Sequence, residues 1–213
     1  MRTTSRRGSA LARSFYFALP ELARHAVLGL VTPPKTIGFR EVHAAIERLA
    51  AAIEARHRHT KSLLLLGIAN GGIPLARRLG ARLGIKRVGD LDISFHRDDF
   101  GRHPIPKEFT PTLLPGDVNG ATVLLIDDVL FTGRTVKAAL DELFDHGRPA
   151  KVELAVLVDR GNRKLPVVAD FTGTAISAAE DEEVLVSLRD DPSLDRIEIR
   201  PRAARERRAA SLP

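Results

Sequence analysis

Two adjacent aspartates and the Thr-Gly-Arg-Thr turn that follows them form the segment of this chain best suited to chemistry. Asp127 and Asp128 directly follow an apolar run, Val123 to Ile126, that predicts a buried strand. The turn Thr132-Gly133-Arg134-Thr135 opens a helical pattern, and free backbone N–H groups at a helix N-terminus bind anions. Two carboxylates beside an anion site suit a sugar diol or a divalent cation. The pattern therefore predicts a ligand with both ribose hydroxyls and a phosphate.

Two further loops follow predicted buried strands and carry residues of the same kind. The segment 67–72, Gly-Ile-Ala-Asn-Gly-Gly, stands between a strand and a helix. Its glycines let backbone amides approach an anion closely, although a plain connecting turn is the alternative interpretation. The segment 158–161, Val-Asp-Arg-Gly, ends another buried strand. It is either part of a binding site or an ordinary surface turn.

The elements that must position these loops alternate between helix and strand. Apolar spacing of three and four predicts helices, and short apolar or alternating runs predict strands. The predicted helices are 39–57, 73–83 and 135–146, and the predicted strands are 62–68, 88–95, 122–126, 152–158, 184–188 and 197–199. This order predicts an α/β fold with a parallel core, in which ligands bind at the carboxyl ends of the strands.

Residues 96–118 break the alternation, because they hold four prolines and show no sustained period. A segment of this length without regular structure is usually functional or mobile. Arg97 either reaches a bound anion or pairs with Asp98 or Asp99 on the surface. We expect His96 and His103 to be solvated loop residues rather than catalytic bases.

Composition excludes several classes of protein. The 213 residues include no cysteine, which excludes disulfides, thiolate metal sites and a cysteine nucleophile. The net charge is +6, but five arginines and one glutamate in 1–32, and again in 200–213, give each end +4. The body, 33–199, therefore has a net charge of −2 and gives no support for a nucleic-acid surface. The apolar stretch 14–31 is too short and too polar to span a bilayer, so we expect no membrane segment and a cytoplasmic location.

The thirteen residues from Val123 to Thr135 closely resemble the phosphoribosyl-pyrophosphate (PRPP) motif of type I phosphoribosyltransferases. Three further segments extend the likeness: Asp92 to Asp99, Gly147-Arg148-Pro149, and Leu154 to Pro166. Together they resemble the pyrimidine-operon attenuator/uracil phosphoribosyltransferase family, from about Ile37 to Ile199. The resemblance implies a mainly parallel central sheet flanked by helices, with a small β-rich hood. It divides the chain into a basic extension (1–34), a phosphoribosyltransferase domain (35–199) and a basic tail (200–213).

The resemblance also implies a role for each candidate residue. It implies that Asp127, Asp128 and Arg97 are catalytic, that Mg²⁺ enters with PRPP near the two aspartates, and that no protein ligand holds it firmly. The resemblance implies that Asp127 and Asp128 bind the ribose, and that Thr132, Gly133, Arg134 and Thr135 bind the 5-phosphate. The implied pyrophosphate-binding residues are Ala69, Asn70, Gly71 and Arg97. The implied base-binding residues are Val158, Asp159 and Arg160. One departure stands out, because well-known attenuators carry Thr-Arg-Gly where this chain has Asn70-Gly71-Gly72.

The implied reaction is uracil plus PRPP giving UMP plus diphosphate. The implied partners are PRPP, uracil, UMP, pyrimidine-operon mRNA and further copies of the chain, as a dimer or higher oligomer. Two alternatives stay open: an RNA-binding pyrimidine regulator with little or no catalysis, and a phosphoribosyltransferase for another base. A basic run offers either an RNA surface or a solvated helix face; its residues are Arg77, Arg78, Arg82, Lys86 and Arg87.

Overall fold

The computed structural model describes residues 35–94, 96 and 111–202. These residues build a five-stranded parallel sheet from β2 (Leu63–Ile68), β3 (Val88–Leu91), β4 (Thr122–Leu130), β5 (Lys151–Asp159) and β6 (Phe171–Ala175). The strand order across the sheet is β3-β2-β4-β5-β6. The predicted α/β fold with a parallel core is confirmed.

Helices cover both faces of this sheet. Side chains alternate across a strand, so Leu63 and Leu65 belong to one core while Leu64 and Leu66 belong to the other. Helices α1 (Phe39–His57) and α2 (Gly72–Leu83) pack on the first face, and α3 (Arg134–Asp145) packs on the second. Burial on both faces explains why β2 and the first part of β4 are continuously apolar.

A second, antiparallel sheet forms the predicted hood. Its order is β1-β8-β7, with β1 at Lys35–Ile37, β7 at Glu182–Ser187 and β8 at Arg196–Pro201. A single 3₁₀ turn, Pro192–Leu194, connects β7 to β8. Strand β8 includes Arg200 and Pro201, two residues beyond the predicted end of the domain at 199.

The strand order creates a crevice between β2 and β4. Helix α2 carries the chain from β2 to β3 on one side, whereas β4 pairs with β2 on the other side. Such a switch in strand order leaves an opening beyond the carboxyl ends of the two strands, where ligands of α/β proteins bind. The loop 69–71 and the aspartates of β4 both lie at this opening.

Two strands, β3 and β4, end four residues away from the ends that the sequence predicts. Strand β4 continues past Ile126 to Leu130, because β5 goes on pairing with it as far as Leu130 opposite Asp159. Strand β3 stops at Leu91 rather than at 95. Asp92 ends it by accepting hydrogen bonds from the backbone N–H and the hydroxyl of Ser94 (2.9 and 2.6 Å), a local turn that competes with the strand. The sequence predicted neither β1 nor β6.

Several predictions fall on residues outside the described part of the chain. These are the extension 1–34, the tail after 202, Arg97 and His103. Among the described residues, no helix combines the length and the apolar character that crossing a membrane requires.

Candidate active site

The two aspartates lie on β4 just beyond the last residue that pairs with β2, which is Ile126 opposite Gly67. Asp127 is 5% exposed. Its Oδ1 accepts the backbone N–H of Asp128 at 3.0 Å, and Oδ1 of Asp128 accepts the backbone N–H of Val129 at 2.8 Å. Because β2 no longer pairs with β4 beyond Ile126, the two carboxyl groups, each held by a backbone N–H, lie at the open edge of the crevice.

This acidic pair is costly to ionise. Burial and then the charge of Asp128 raise the pKa of Asp127 well above its usual range. Burial also raises the pKa of Asp128, although hydrogen bonds from its neighbours oppose the shift. A ligand that brings hydroxyl donors or positive charge to this place would relieve the repulsion, so the pair is better suited to binding than to stabilising the fold.

The loop after β2 meets the acidic pair directly. A Cβ atom on Gly71 would stand 2.3 Å from Cγ and 2.3 Å from Oδ2 of Asp128. The φ of Gly71 is −70°, which any residue can adopt, so space and not backbone conformation requires glycine here. The Asp128 carboxyl occupies the room that a side chain at position 71 would need. An arginine at this position, as in Thr-Arg-Gly, would require the Asp128 carboxyl to move.

The neighbouring residues hold this loop against the sheet. A Cβ on Gly72 would stand 2.0 Å from the carbonyl oxygen of Ile126, so α2 begins in backbone contact with β4. The Ala69 N–H donates to the Leu91 carbonyl at 3.0 Å, and the peptide bond from Ala69 to Asn70 is cis. The structure therefore brings Gly71 to Asp128 and leaves Asn70 exposed.

The turn before α3 presents a helix N-terminus to the same crevice edge. Gly133 caps the helix with φ of +91°, a conformation that favours glycine, and no side chain caps the first turn. The Arg134 N–H donates a long hydrogen bond to the Thr132 hydroxyl (3.3 Å), and the Arg134 side chain is exposed. First-turn N–H groups without a capping side chain are suited to a phosphate.

Arg163 holds this turn in place, and the sequence analysis missed it. Its Nη1 donates to the carbonyl groups of Leu130 (3.1 Å) and Phe131 (3.0 Å), and its Nη2 donates to Oδ2 of Asp159 at 2.6 Å. Its Nε donates to the Val167 carbonyl at 3.2 Å. Three of these partners are main-chain carbonyls, which carry no sequence signal.

The three candidate base-site side chains are engaged within the protein. Val158 is fully buried in the core, and Asp159 binds Arg163 and the Gly161 N–H. Arg160 is 3% exposed and donates to the carbonyl groups of Ala179 and Glu182, while its guanidinium lies 3.9 Å from the centroid of the Phe131 ring. These contacts tie β5 to the hood. Contact of the three residues with a base stays a prediction.

The basic run on and after α2 is largely ion-paired. Arg77 contacts Asp90 at 2.8 Å, Arg82 contacts Glu47 at 3.0 Å, and Arg78 pairs with the buried Asp195. Three of the five cations therefore face a carboxylate. This arrangement favours the interpretation of the run as a paired helix face over an RNA surface.

Comparison with known proteins matches this geometry to a family. Residues 39–191 match the model of the phosphoribosyl transferase domain. The chain is 45% identical over 165 residues to the bifunctional protein PyrR of Chloroflexus aurantiacus, covering 75% of this chain and 90% of that protein. It is 47% identical over 164 residues to bifunctional protein PyrR 1 of Lactiplantibacillus plantarum, covering 73% and 90%.

Solved structures agree with the fold. The purine phosphoribosyltransferase of Pyrococcus horikoshii superposes with a TM-score of 0.52 at 26% identity, over 66% of this chain and 85% of that one. The hypoxanthine phosphoribosyltransferase of Trypanosoma cruzi gives 0.56 at 21% identity, over 82% and 94%, and supports the fold alone. The resemblance seen in the sequence is confirmed, and the chain belongs to the phosphoribosyltransferase family, in the group of the bifunctional PyrR proteins.

Proposed function

We propose that this chain transfers the phosphoribosyl group of PRPP to uracil and releases UMP and diphosphate. The observation that carries the proposal is the contact between Asp128 and Gly71 at the β2–β4 crevice, beside the open N-terminus of α3. In this proposal the diphosphate loop (Gly71), the diol site (Asp128) and the phosphate site (the first turn of α3) follow one another along the crevice, which is the order of the diphosphate, the ribose hydroxyls and the 5-phosphate in PRPP. Family membership and the bifunctional relatives support the assignment to a pyrimidine base.

Each group of PRPP has a partner in this proposal. The N–H groups of residues 133–135 and the hydroxyls of Thr132 and Thr135 hold the 5-phosphate. The carboxylates of Asp127 and Asp128 accept hydrogen bonds from the ribose hydroxyls. The backbone of Ala69 to Gly71 holds the diphosphate, and Arg97 is predicted to join it. The base lies toward the 158–160 edge of β5.

The acidic pair also fits a magnesium ion that accompanies PRPP. Carboxylate oxygens are the ligands that Mg²⁺ prefers. Burial raises the pKa values of both aspartates, so a nearby cation would stabilise their ionised forms. Asp127 and Asp128 would stand nearest to the ion. When bound, Mg²⁺ supplies neutralisation of the negative charge that develops on the departing diphosphate.

The protein itself contributes mainly position and electrostatic stabilisation. Binding energy from the 5-phosphate, remote from the reacting carbon, orients the ribose. The carboxylates of Asp127 and Asp128 hold the ring while positive charge develops at C1, and negative groups near that charge stabilise the transition state. Phosphoribosyl transfer by this mechanism requires no strong general base.

Diphosphate release from PRPP tests the proposal directly. Purified full-length chain is incubated with PRPP, Mg²⁺ and one of uracil, cytosine, hypoxanthine, guanine or adenine. We expect release with uracil alone, and a severe loss of turnover in Asp128→Asn. Asp190→Asn, an exposed carboxylate in the loop after β7, is the matched control and should keep full activity. Release with a purine would overturn the choice of base, and unchanged turnover in Asp128→Asn would overturn the site.

A second function is favoured by the relatives, which are named bifunctional. We propose that the chain also binds pyrimidine-operon mRNA in a UMP-dependent way. Filter binding to a leader RNA with and without UMP tests this, and affinity should fall as salt rises because phosphate contacts release counterions. Equal retention with and without UMP would contradict regulation. The ion-paired Arg77, Arg78 and Arg82 are not expected to form the RNA surface.

Assembly and location follow from the same family assignment. We expect a homodimer or a higher oligomer, which light scattering on the eluting peak of a sizing column measures directly. We also expect the chain to act in the cytoplasm, where PRPP, UMP and the transcript are found together. A monomer at micromolar concentration would contradict the first expectation, and fractionation of the cell contents tests the second.

A further inference from the structure

A cluster of imidazole and carboxylate groups lies outside the proposed active site. Nε2 of His96 stands 3.2 Å from Oε2 of Glu142 and 3.3 Å from Oδ2 of Asp145. One ligand atom from each of the three residues lies within 4.8 Å of the other two. His96, expected in solvent from the sequence, therefore contacts two carboxylates of α3.

The two separations from His96 come close to those in a tetrahedral zinc site. Zinc binds imidazole nitrogen and carboxylate oxygen at about 2.0–2.2 Å, so two ligand atoms of a tetrahedral site stand roughly 3.4 Å apart. The measured 3.2 and 3.3 Å from His96 come close to that edge length. Three protein ligands leave a fourth position for water or another donor.

The two sides of the cluster are fixed by their neighbours. The Thr112 hydroxyl donates to Oε1 of Glu142 at 2.6 Å and accepts the Asp92 N–H at 3.0 Å. Nε2 of His146 lies 3.0 Å from the same Oε1, which leaves Oε2 for His96. The backbone N–H of His96 donates to the Ile93 carbonyl at 3.0 Å, which holds the backbone of His96 in the turn after β3. Partners of this kind orient metal ligands.

Charge also favours a cation at this place. Two carboxylates, Glu142 and Asp145, lie beside the imidazoles of His96 and His146, and a divalent cation would offset the negative charge of that carboxylate pair. Oε2 of Glu142, Oδ2 of Asp145 and Nε2 of His96 offer such an ion two oxygen donors and one nitrogen donor.

We propose that His96, Glu142 and Asp145 bind a zinc ion. The imidazole separates this site from the all-oxygen pair of Asp127 and Asp128, because nitrogen donors suit zinc whereas oxygen donors suit magnesium. The ion would join the turn after β3 to the last turn of α3, the helix whose first turn faces the phosphate site. The proposal does not depend on the base that the enzyme uses.

Zinc titration of the metal-free full-length chain tests the proposal. The protein, freed of any affinity tag and treated with chelator, is titrated with ZnCl₂ in excess Mg²⁺ by calorimetry. We expect one zinc ion per chain, and an affinity at least about tenfold weaker in His96→Ala and Glu142→Gln, since even outer partners of a site change affinity by 10–100-fold. Zinc should also raise the Tm of the unaltered chain but not of these variants.

Two further variants keep the result interpretable. His43→Ala removes an exposed histidine on α1, which packs against the opposite face of the sheet, and should bind zinc as the unaltered chain does. Asp145→Asn changes an exposed ligand and preserves the fold, so its loss of affinity cannot come from unfolding. Equal zinc affinity in the unaltered chain and in His96→Ala, or no zinc binding in either, would overturn the proposal and leave the cluster an ion pair.

Discussion

Replacing Gly71 with alanine places a methyl group where the structure holds the Asp128 carboxyl. The added Cβ would stand 2.3 Å from Cγ of Asp128, whereas carbon atoms in contact are about 3.5–4.0 Å apart. The φ of −70° suits alanine, and the three atoms nearest to the added Cβ all belong to the Asp128 carboxyl. The simplest relief is that Asp128 turns away and gives up its bond to the Val129 N–H.

The expected cost follows from what Asp128 loses. The hydrogen bond contributes about 0.5–1.5 kcal/mol, and an unfavourable rotamer costs about 0.5–1.5 kcal/mol. Alanine returns about 0.4–1 kcal/mol by restricting the unfolded chain. We therefore expect Gly71→Ala to lower the free energy of unfolding by roughly 0.5–2 kcal/mol. The displaced carboxyl should also raise the KM for PRPP by about tenfold, equivalent to about 1.4 kcal/mol.

A double-mutant cycle isolates the contact. Urea unfolding is measured for Gly71→Ala, Asp128→Ala and the double variant. Removing the carboxyl removes the collision, so the double variant should be more stable than the sum of the single effects by about 1–3 kcal/mol. Gly116→Ala, where a Cβ would have no neighbour within 4 Å, is the control and should add to Asp128→Ala. Additivity of Gly71→Ala and Asp128→Ala within about 0.5 kcal/mol would refute the steric reasoning.

Three further predictions concern buried charge and the turn before α3. Because the pKa of Asp127 is raised in the folded state, the fold loses stability as the pH rises above about 3.9, where the carboxyl ionises in the unfolded chain. Asp127→Asn should therefore raise the Tm by about 1–8 °C at pH 8 but not near pH 4, while it abolishes turnover. A lower Tm of the variant at pH 8 would contradict this prediction. Burial lowers the pKa of His57, although the charge of Glu153 opposes the shift. Just below pH 6.5 only the unfolded state therefore gains this proton, so the free energy of unfolding falls as the pH falls. This fall should be less steep in His57→Gln, and equal slopes of the free energy of unfolding against pH, measured by urea unfolding, would exclude this cause. Arg163→Lys should raise the KM for PRPP by about 10–100-fold with normal circular dichroism, while exposed Lys164→Ala leaves it unchanged.

The sequence alone located the proposed chemistry because that chemistry sits where strands end. Continuous apolar runs marked the strands buried on both faces, and the polar residues directly after them marked the crevice edge. Asp127, Asp128 and the turn from Thr132 to Thr135 could therefore be predicted as site residues without a structure. The parallel core followed in the same way, since helix and strand periods are local properties.

What the sequence could not show depends on residues far apart along the chain. Strand β4 outlasts its apolar run because β5 keeps pairing with it, and β1 exists only because β8 lies beside it. Arg163 recognises carbonyl groups that every residue carries, more than thirty positions away.

The side-chain contacts at the acidic pair and at the histidine cluster also depend on residues far apart along the chain. Only the folded chain shows that the Asp128 carboxyl fills the room beside Gly71, or that His96 meets Glu142 and Asp145. A sequence reports what each element needs to bury, whereas tertiary packing alone determines which groups from distant elements meet.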